Sequence, residues 1–578
     1  MAAIVAVLLV ILVAAPVAGA KTMVVQPDGK VVLGGSVFPR YAGLVRYEAN
    51  GTLDSSFGVG GVAIERRLGP LDAIALQPDG RILFAASRFG SSTSPARAGA
   101  SVPGALFGRL LADGTPDQEF GDSGLAVSPV EPILGAQPSA IVVRPDNSIV
   151  LATTHCCFKY FPPGFASVEQ FSATGAFVGQ LSTLTDHANG YRGYSLADLI
   201  PSTAGSLIGV GHGPVTSSTS GESGILTARF QSGTPQGYDP AFGKDGGLVI
   251  GPPAYATAAA EGQGKIVVAG FTDFLNGPAN HGILLRYNAD GTPDSGFGAE
   301  GRFDLVLASS VFSRLSEVAV EPDGSVIAVG FTYSGFNQAS VGPCDGCEQA
   351  VVVKLTPNGV LDPAFGEGGI VRLGGTAGVP AMEAKDLAIL GDGRILVSGA
   401  TEAEYPSFVL ARLTPNGALD PTFGQGGVAI TTVCPGSRHQ RIRERCFPKP
   451  KVSLRVQHLR SHKPTLRLRV DPNLPWAGIT GLRLILPRAL RLHPRRIERE
   501  GGLLTHVAKR PDAEPVVHPV GINFTRLGGA ASATIRLANG AFGPIRALGR
   551  HGRLVFRVKV RFDVGPYPEQ TVVVRRHL

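Results

Sequence analysis

The sequence predicts an all-β protein: a seven-bladed β-propeller followed by a small, Arg-rich β-sandwich of immunoglobulin-like type. Three observations carry this. A unit made of two short hairpins recurs seven times between residues 22 and 432, and four-stranded units repeated at such spacing bury their faces against one another in propellers. The chain holds 77 Gly and 44 Pro, the residues that punctuate short strands. Residues 434–578 hold 29 Lys+Arg against 8 Asp+Glu, a net of +21, whereas 1–433 carry a net of −13. Two parts of opposite charge suggest two domains with different partners, or domains that attract each other. At 578 residues, 44% of them hydrophobic, the chain is too long for one ordinary domain and too apolar for a disordered one.

Residues 1–20, MAAIVAVLLVILVAAPVAGA, are apolar and end in the small-x-small pattern Ala18-Gly19-Ala20. That is the form of a secretory signal peptide cleaved before Lys21. No Lys or Arg precedes the apolar run, and the run is nearly long enough to span a bilayer. An uncleaved N-terminal anchor is therefore the alternative. In either case an extracellular or cell-surface location is expected. No later segment is apolar enough to cross a membrane.

Residues 21–433 form the repeat domain, each unit supplying strands a to d. Strands a and b flank Pro-Asp-Gly or its remnant, as in TMVVQPDGKVVLGGS (Thr22–Ser36), AIALQPDGRILFAAS from Ala73, EVAVEPDGSVIAVGF from Glu317 and DLAILGDGRILVSGA from Asp386. Two β-type runs around such a turn read as a hairpin. In the third unit Asn147 replaces the Gly, and Asn also tolerates positive φ. The fourth and fifth units lose Pro-Asp but keep Gly205 and Gly264. Turn positions are thus 29, 80, 147, 205, 264, 324 and 393.

Strands c and d are joined by a corner, seen at Val409–Ile430 as VLARLTPNGALDPTFGQGGVAI. Close copies start at Gly43, Ala105, Gly282 and Ala350, and a weaker one at Ile225. The third unit loses Phe-Gly here. Because the last unit ends on strand d, unit one is expected to pack directly on unit seven. A solenoid is the alternative, but no polar capping units stand at the ends.

Units reading QPDGK…VVLGG and then RY…NGTLDSSFG resemble the bacterial delta-60 repeat family. The resemblance covers about residues 22–432 and is specific in five of the seven units. It implies a β-propeller of unknown function in an exported bacterial protein, and it carries no catalytic residue over.

The repeated Asp54, Asp117, Asp239, Asp294, Asp362 and Asp420 invite comparison with calcium loops. Calcium takes 6–8 oxygens at short alternating spacing, and Asp290 with Asp294 offers two carboxylates at most. The favoured role for each Asp is to accept backbone N–H bonds in its turn. Phe57, Phe120, Phe242, Phe297, Phe365 and Phe423 read as packing between units rather than a ligand cage. A residue needed in every unit is what a scaffold requires.

Alternating strand direction puts the a–b and c–d turns on one face of the ring. The b–c loops and d-to-a connections fall on the other. That second face carries everything that varies: 88–103, 154–165, 211–223, 271–281 and 331–348. Varied loops on a rigid scaffold are where binding usually resides. They mix Ser, Gly, Thr, Pro and Asn with Phe158, Tyr160, Phe161, Phe274, Tyr333 and Phe336, a composition suited to a glycan and equally to any exposed loop. His155, His187, His212 and His281 fall in four different units and read as isolated surface side chains.

Six cysteines in an exported chain favour disulfides. Cys344 and Cys347 could close on each other, or form half a zinc site or a redox pair, although no second CxxC supports these. Cys434 and Cys446 flank the basic linker 434–450 and could staple it. Cys156 and Cys157 have no clear partner.

In 451–578, segments such as KVSLRVQ, PTLRLRVD and QTVVVRR alternate apolar residues with Arg, as half-buried strands do. About seven such strands suggest a sandwich, without the Cys…Trp…Cys pattern of true immunoglobulin domains. The Arg rows suit an anionic cell-envelope polymer. The competing explanation is a solvated face in a GC-rich gene, since 24 of the 29 basic residues are Arg. Nucleic acid is disfavoured because no matching motif is present.

The expected function is that of an exported, non-enzymatic binding or scaffold protein. Its propeller loop face would contact an unknown ligand, a glycan or a protein, and its basic C-terminal domain an anionic surface. One alternative is a propeller lyase or hydrolase acting on extracellular polysaccharide, which needs acids and bases converging at the channel mouth. The other is a purely structural surface protein. No catalytic, cofactor-binding or metal-binding residue is nominated.

Overall fold

The computed structural model describes residues 22–37, 41–88, 105–130, 136–155, 165–184, 193–202, 205–214, 223–231, 237–243, 248–272, 281–307, 312–333, 348–374, 379–401 and 407–433, with the backbone of eight further strands between 451 and 577. The signal-like segment, all six cysteines and His187 lie outside the described residues. So do most of the variable b–c loops. The chain divides into two compact units, 1–435 and 436–578.

Among the described residues, every element of the first unit is a β-strand, and its sheets are antiparallel meanders. The first sheet runs Met23–Val25, Val31–Val37, Tyr41–Tyr47 and Val62–Glu65; the last runs Met382–Ile389, Ile395–Thr401, Phe408–Leu413 and Val428–Thr431. Five such sheets have four strands, and one has seven. The seven arise because the strand Leu248–Gly262 serves two repeats. Its first half pairs with Ser223–Phe230, its second half with Lys265–Thr272.

The turns behave as their residues dictate. Asn147 adopts φ 64°, in place of a glycine. Gln263 and Gly264, at φ 53° and 67°, close a two-residue turn between Gly262 and Lys265, the geometry of a type I′ hairpin.

Strand a of each repeat neighbours strand a of the next, so these strands form the inner ring. The core is not one mass but a series of apolar seams. Among the described residues seven clusters each join two successive repeats: Val32 and Leu44 with Ile74 and Phe84, for instance, or Leu315 and Val326 with Ala269 and Leu284. One cluster joins the last repeat to the first, through Leu396, Phe408 and Leu410 against Met23, Leu33 and Val45. Strands b and c are therefore buried on both faces, which explains continuous apolar runs such as Val351–Val353.

The second unit holds two antiparallel sheets. Three strands, Lys451–Gln457, Thr465–Asp471 and Ala531–Arg536, make one; five make the other, Leu504–Ala508, Val516–Val520, Ile479–Ile485, Arg553–Phe562 and Gln570–His577 in spatial order. The strand Leu504–Ala508 is not legible in the sequence, because LTHVA is too short to show alternation.

Candidate functional site: the loop-face mouth of the ring

The repeated corner proves to be a fastener between repeats. Asp54 Oδ1 accepts from Ser56 N and Oγ at 3.0 and 2.6 Å, the turn role expected of it. Its Oδ2 also accepts from Arg46 Nε at 2.7 Å and Lys30 Nζ at 2.8 Å. The same arginine–aspartate pair recurs at Arg109–Asp117, Arg286–Asp294 and Arg412–Asp420, each at 2.8 Å. The guanidinium then lies over the corner phenylalanine, 4.6 Å above Phe57 and 4.5 Å above Phe423. Its far end donates to the next repeat: Arg109 to Ala173 O at 2.6 Å, Arg286 to Pro357 O at 2.6 Å. The Phe-Gly amide does likewise, Gly58 N to Asp113 O at 2.6 Å and Gly366 N to Asn416 O at 2.9 Å.

Burial alone would raise the Asp54 carboxyl. Donors from Lys30, Ser56 and Arg46 outweigh it and hold the group well below the usual carboxylate range. The repeated phenylalanines, buried to 1% exposure or less, pack against the turn glycine of the next repeat. At Gly417, with φ 89°, an added Cβ would stand 3.0 Å from the Phe365 ring. Repeated Asp, Phe and Gly thus build seams, on the face opposite the variable loops.

The arginine partner completes this corner, and its signal lies in the sequence: an Arg eight residues before the corner Asp in units one, two, five and seven.

The loop face gathers a different set. Strand a carries a β-bulge at one position in repeats two to seven, between Leu196 and Asp198, Leu315 and Glu317, or Ala384 and Asp386, for example. Just before the bulge, toward the loop face, strand a faces strand b at one recurring pair. Round the ring, the pairs include Ser195 with His212, Tyr255 with Phe271, and neighbours Gly330 and Phe331 beside Arg314.

The result is a row of rings across three repeats, half-buried apart from the buried Phe331. His212 meets Tyr255 edge-on at 5.0 Å, Tyr255 stacks on Phe271 at 5.4 Å, and Phe271 meets Phe312 at 6.3 Å. Phe312 lies 5.8 Å from Phe331. Arg314 stands 4.7 Å over Phe271, and Lys385 Nζ 5.9 Å over Phe331. Lys385 is ion-paired with Glu383 on the same strand. Burial pulls the Arg314 guanidinium below its ordinary value while the field of Glu383 raises it. Aromatic faces beside a few fixed charges are what small-ligand sites combine.

His212, Phe271 and Phe331 open variable segments named above, but Tyr255, Phe312 and Arg314 sit on strand a, which a reading centred on loops passes over. Their signal is register: His212, Phe271 and Phe331 each stand seven residues after the turn position of their repeat.

The three described histidines, His155, His212 and His281, are not isolated surface groups. His155 is 3% exposed, stacks on Phe165 at 4.1 Å and bonds Ser167 Oγ at 2.9 Å, which donates to Glu169 Oε1 at 2.7 Å. Burial depresses His155 to about 4 and raises Glu169. Ser167 and Glu169 are fully buried, so this chain of groups cannot meet a substrate. His212 is likewise pushed to about 4 by burial, and Ser195 Oγ lies 2.6 Å from its Nδ1. His281 bonds Asp304 at 2.8 Å. Among the described residues no three or more His, Cys, Asp or Glu side chains gather as a metal site would require.

Comparison with known proteins adds the following. No curated protein matches the sequence. Among solved structures, a polysaccharide lyase of family PL25, an ulvan lyase bound to a sugar fragment, aligns over 79% of this chain and 92% of its own at 10% identity and a TM-score of 0.32. Hydrazine synthase of Kuenenia stuttgartiensis aligns over 57% and 76% at 11% identity and a TM-score of 0.35. The arabinanase of Bacillus subtilis aligns over 49% and 92% at 11% identity and a TM-score of 0.27. Likeness this distant carries no chemistry across. Residues 26–57, 264–297 and 390–423 match the model of the β-propeller family described as a domain of unknown function, DUF5122. Three segments of this chain are therefore similar to β-propeller repeats of the DUF5122 kind, consistent with a delta-60-like repeat family.

Proposed function

We propose that this protein is an exported, non-enzymatic binding propeller of seven blades that holds a polar polymer across the loop-face mouth of its ring. The observation that carries the reading is the aromatic row Tyr255–Phe271–Phe312–Phe331, on the loop-facing ends of strands a and b, with Arg314, Glu383 and Lys385 beside it. Rings presented in a row offer stacking to successive units of a chain-like ligand, of which a glycan is the leading case. Seven repeats and seven seams support the blade count, and two antiparallel sheets support a sandwich for 451–578. The net +21 of residues 434–578 supports docking of that part on an anionic envelope polymer.

The lyase or hydrolase reading is weaker at this mouth. Glu383, the carboxylate beside the aromatic row, is held by Lys385 and lies in the field of Arg314, which suits charge recognition better than proton transfer.

Calorimetric titration of the purified protein with neutral and acidic oligosaccharides tests the mouth. Wild type is expected to bind at least one, and Tyr255→Ala with Phe312→Ala to lose about tenfold or more, since a stacked ring contributes about 1 kcal/mol. Silence of the wild type towards every glycan, or equal binding by the double variant, would overturn the reading. In the same preparation, retention on cell envelope should vanish at about 0.5 M salt; retention that survives removes the anionic-surface role.

A further inference from the structure

We infer that residues 18–21 complete the inner strand of the first repeat, so that the exported chain is not cut before Lys21. Retention of the whole leader as an anchor, or a cut upstream of Ala18, leaves this half-strand in place. The leader is then more than an address, because its last residues belong to the repeat that closes the ring.

In repeats two to seven strand a runs on past its bulge toward the loop face, as in Phe312–Val320 and Met382–Ile389. In the first repeat its described part is only Met23–Val25, paired with Val31–Leu33, and Gly34 N donates to Thr22 O at 2.7 Å. Strand b, however, continues to Val37. Among the described residues nothing of strand a stands opposite Gly35, Ser36 and Val37. Hydrogen-bonding direction alternates along a strand, so the amides of Gly34 and Ser36 point the same way. The Ser36 amide therefore faces the place of the absent half-strand.

Gly35 marks what belongs there. It holds the position of Gly211, Gly270, Gly330 and Gly399, where an added Cβ would lie 1.9, 2.1, 1.8 and 2.1 Å from a strand-a carbonyl oxygen. Glycine inside a strand otherwise weakens it, and it is kept where another backbone comes close. Those four glycines are buried, whereas Gly35 is half-exposed and the atom nearest an added Cβ is in the Phe408 ring, at 2.8 Å.

The residues upstream supply the approaching backbone in register. Met23 and Val25 pair with Leu33 and Val31 as Leu387 and Ile389 pair with Val397 and Ile395. On that alignment Ala20-Lys21-Thr22 corresponds to Ala384-Lys385-Asp386, with Ala and Lys identical. Lys21 takes the bulge position, Ala20 falls opposite Gly35 as Ala384 does opposite Gly399, and Gly19 falls opposite Ser36. Gly19 also corresponds to Glu383, whose carbonyl oxygen meets Gly399. A cut before Lys21 would leave an open sheet edge beside the seam that Leu396, Phe408 and Leu410 make with Met23 and Leu33.

The first test is the mass of the protein exported with its own leader. An N-terminus at or before Ala18 is expected, and one at Gly19 or later overturns the inference. Chains 18–578 and 21–578, each behind one initiator Met, are then compared by hydrogen exchange and melting. The Ser36 amide should exchange about tenfold slower in the longer chain, with a Tm about 2 °C higher. Gly19→Pro in the longer chain should return both values to those of the shorter, since proline cannot donate to the ladder. Equal exchange at Ser36 in the two chains overturns the inference whatever their Tm, and so does slow exchange that survives Gly19→Pro.

Discussion

Arg412 shows how much one side chain can join. Its Nε bonds Asp420 at 2.8 Å, its Nη1 donates to Ala49 O at 2.7 Å, its Nη2 reaches Thr422 Oγ1 at 2.9 Å, and its plane covers Phe423. Asp420 in turn is held below the usual carboxylate range, chiefly by the Thr422 hydroxyl. Both groups are nearly buried, with side-chain exposures of 6% and 8%. Removing one partner strands the other, at a cost on the order of 3 kcal/mol. Arg412→Met is therefore expected to lower the Tm by several degrees in calorimetry, and an unchanged Tm would contradict the role. The pH dependence follows from the depressed carboxyls. The stability that Asp54 and Asp420 contribute is fully present above the unfolded carboxylate pKa, about 4, and fades as pH falls towards the folded values. Asp420→Asn should flatten that acid limb in denaturant titrations between about pH 5 and 2.

At the scale of an element, the bulge in strand a and the glycine opposite it act together. An added Cβ on Gly330 would lie 1.8 Å from Arg314 O, and on Gly399 it would lie 2.1 Å from Glu383 O. Only glycine lets the backbone that carries these site residues come so close. A bulge re-aims the side chains next to it, so this device sets where Arg314 and Glu383 point. Gly330→Ala is predicted to destabilise the fold and weaken ligand binding, whereas Gly179→Ala, with nothing within 4 Å of the added atom, should leave both unchanged. Binding isotherms and melting curves of the two variants decide this; equal behaviour would count against it. The glycine is visible in the strings IAVGF and LVSGA, but its reason is not, because a close approach across strands is a tertiary fact. Strand identity, turn chemistry and repeat boundaries are readable because each is enforced locally. The mouth is not, since Tyr255, Arg314 and Glu383 belong to three repeats and meet only once the ring has formed.

For the molecule as a whole, the repeated fastener is absent at one seam among the described residues. The third repeat has Gln170 where Arg stands in five others and Lys354 in the sixth, and it alone lacks the Phe-Gly corner. Its outer strand Phe177–Leu184 leaves Phe177 and Val178 41% and 62% exposed. The fourth repeat reaches across by other means: Gly237 stands against Leu181 O, and Tyr238 OH donates to Thr183 O at 3.4 Å. Regions with fewer buried contacts open first. Hydrogen exchange is thus expected to be fastest, among the sheets of the ring, in residues 177–184, and slow exchange there would refute the idea of a weak seam.

The joint between the last repeat and the first uses the full fastener, Arg412 reaching Ala49 O, with no strand exchanged. Gly424 N donates to Asn50 O at 2.8 Å, and Asp386 holds the amides of Thr22 and Met23 across 364 and 363 residues of sequence. Contacts so remote in sequence form late, because the loop between them must close first. An emerging chain must therefore wait as an open arc, the apolar flank of Leu33 and Val45 uncovered until Phe408 and Leu410 have been made. For a chain exported as proposed above, this delay would be an asset wherever passage requires an unfolded chain: the last repeat would act as a latch, holding back completion of the ring until translocation is nearly done.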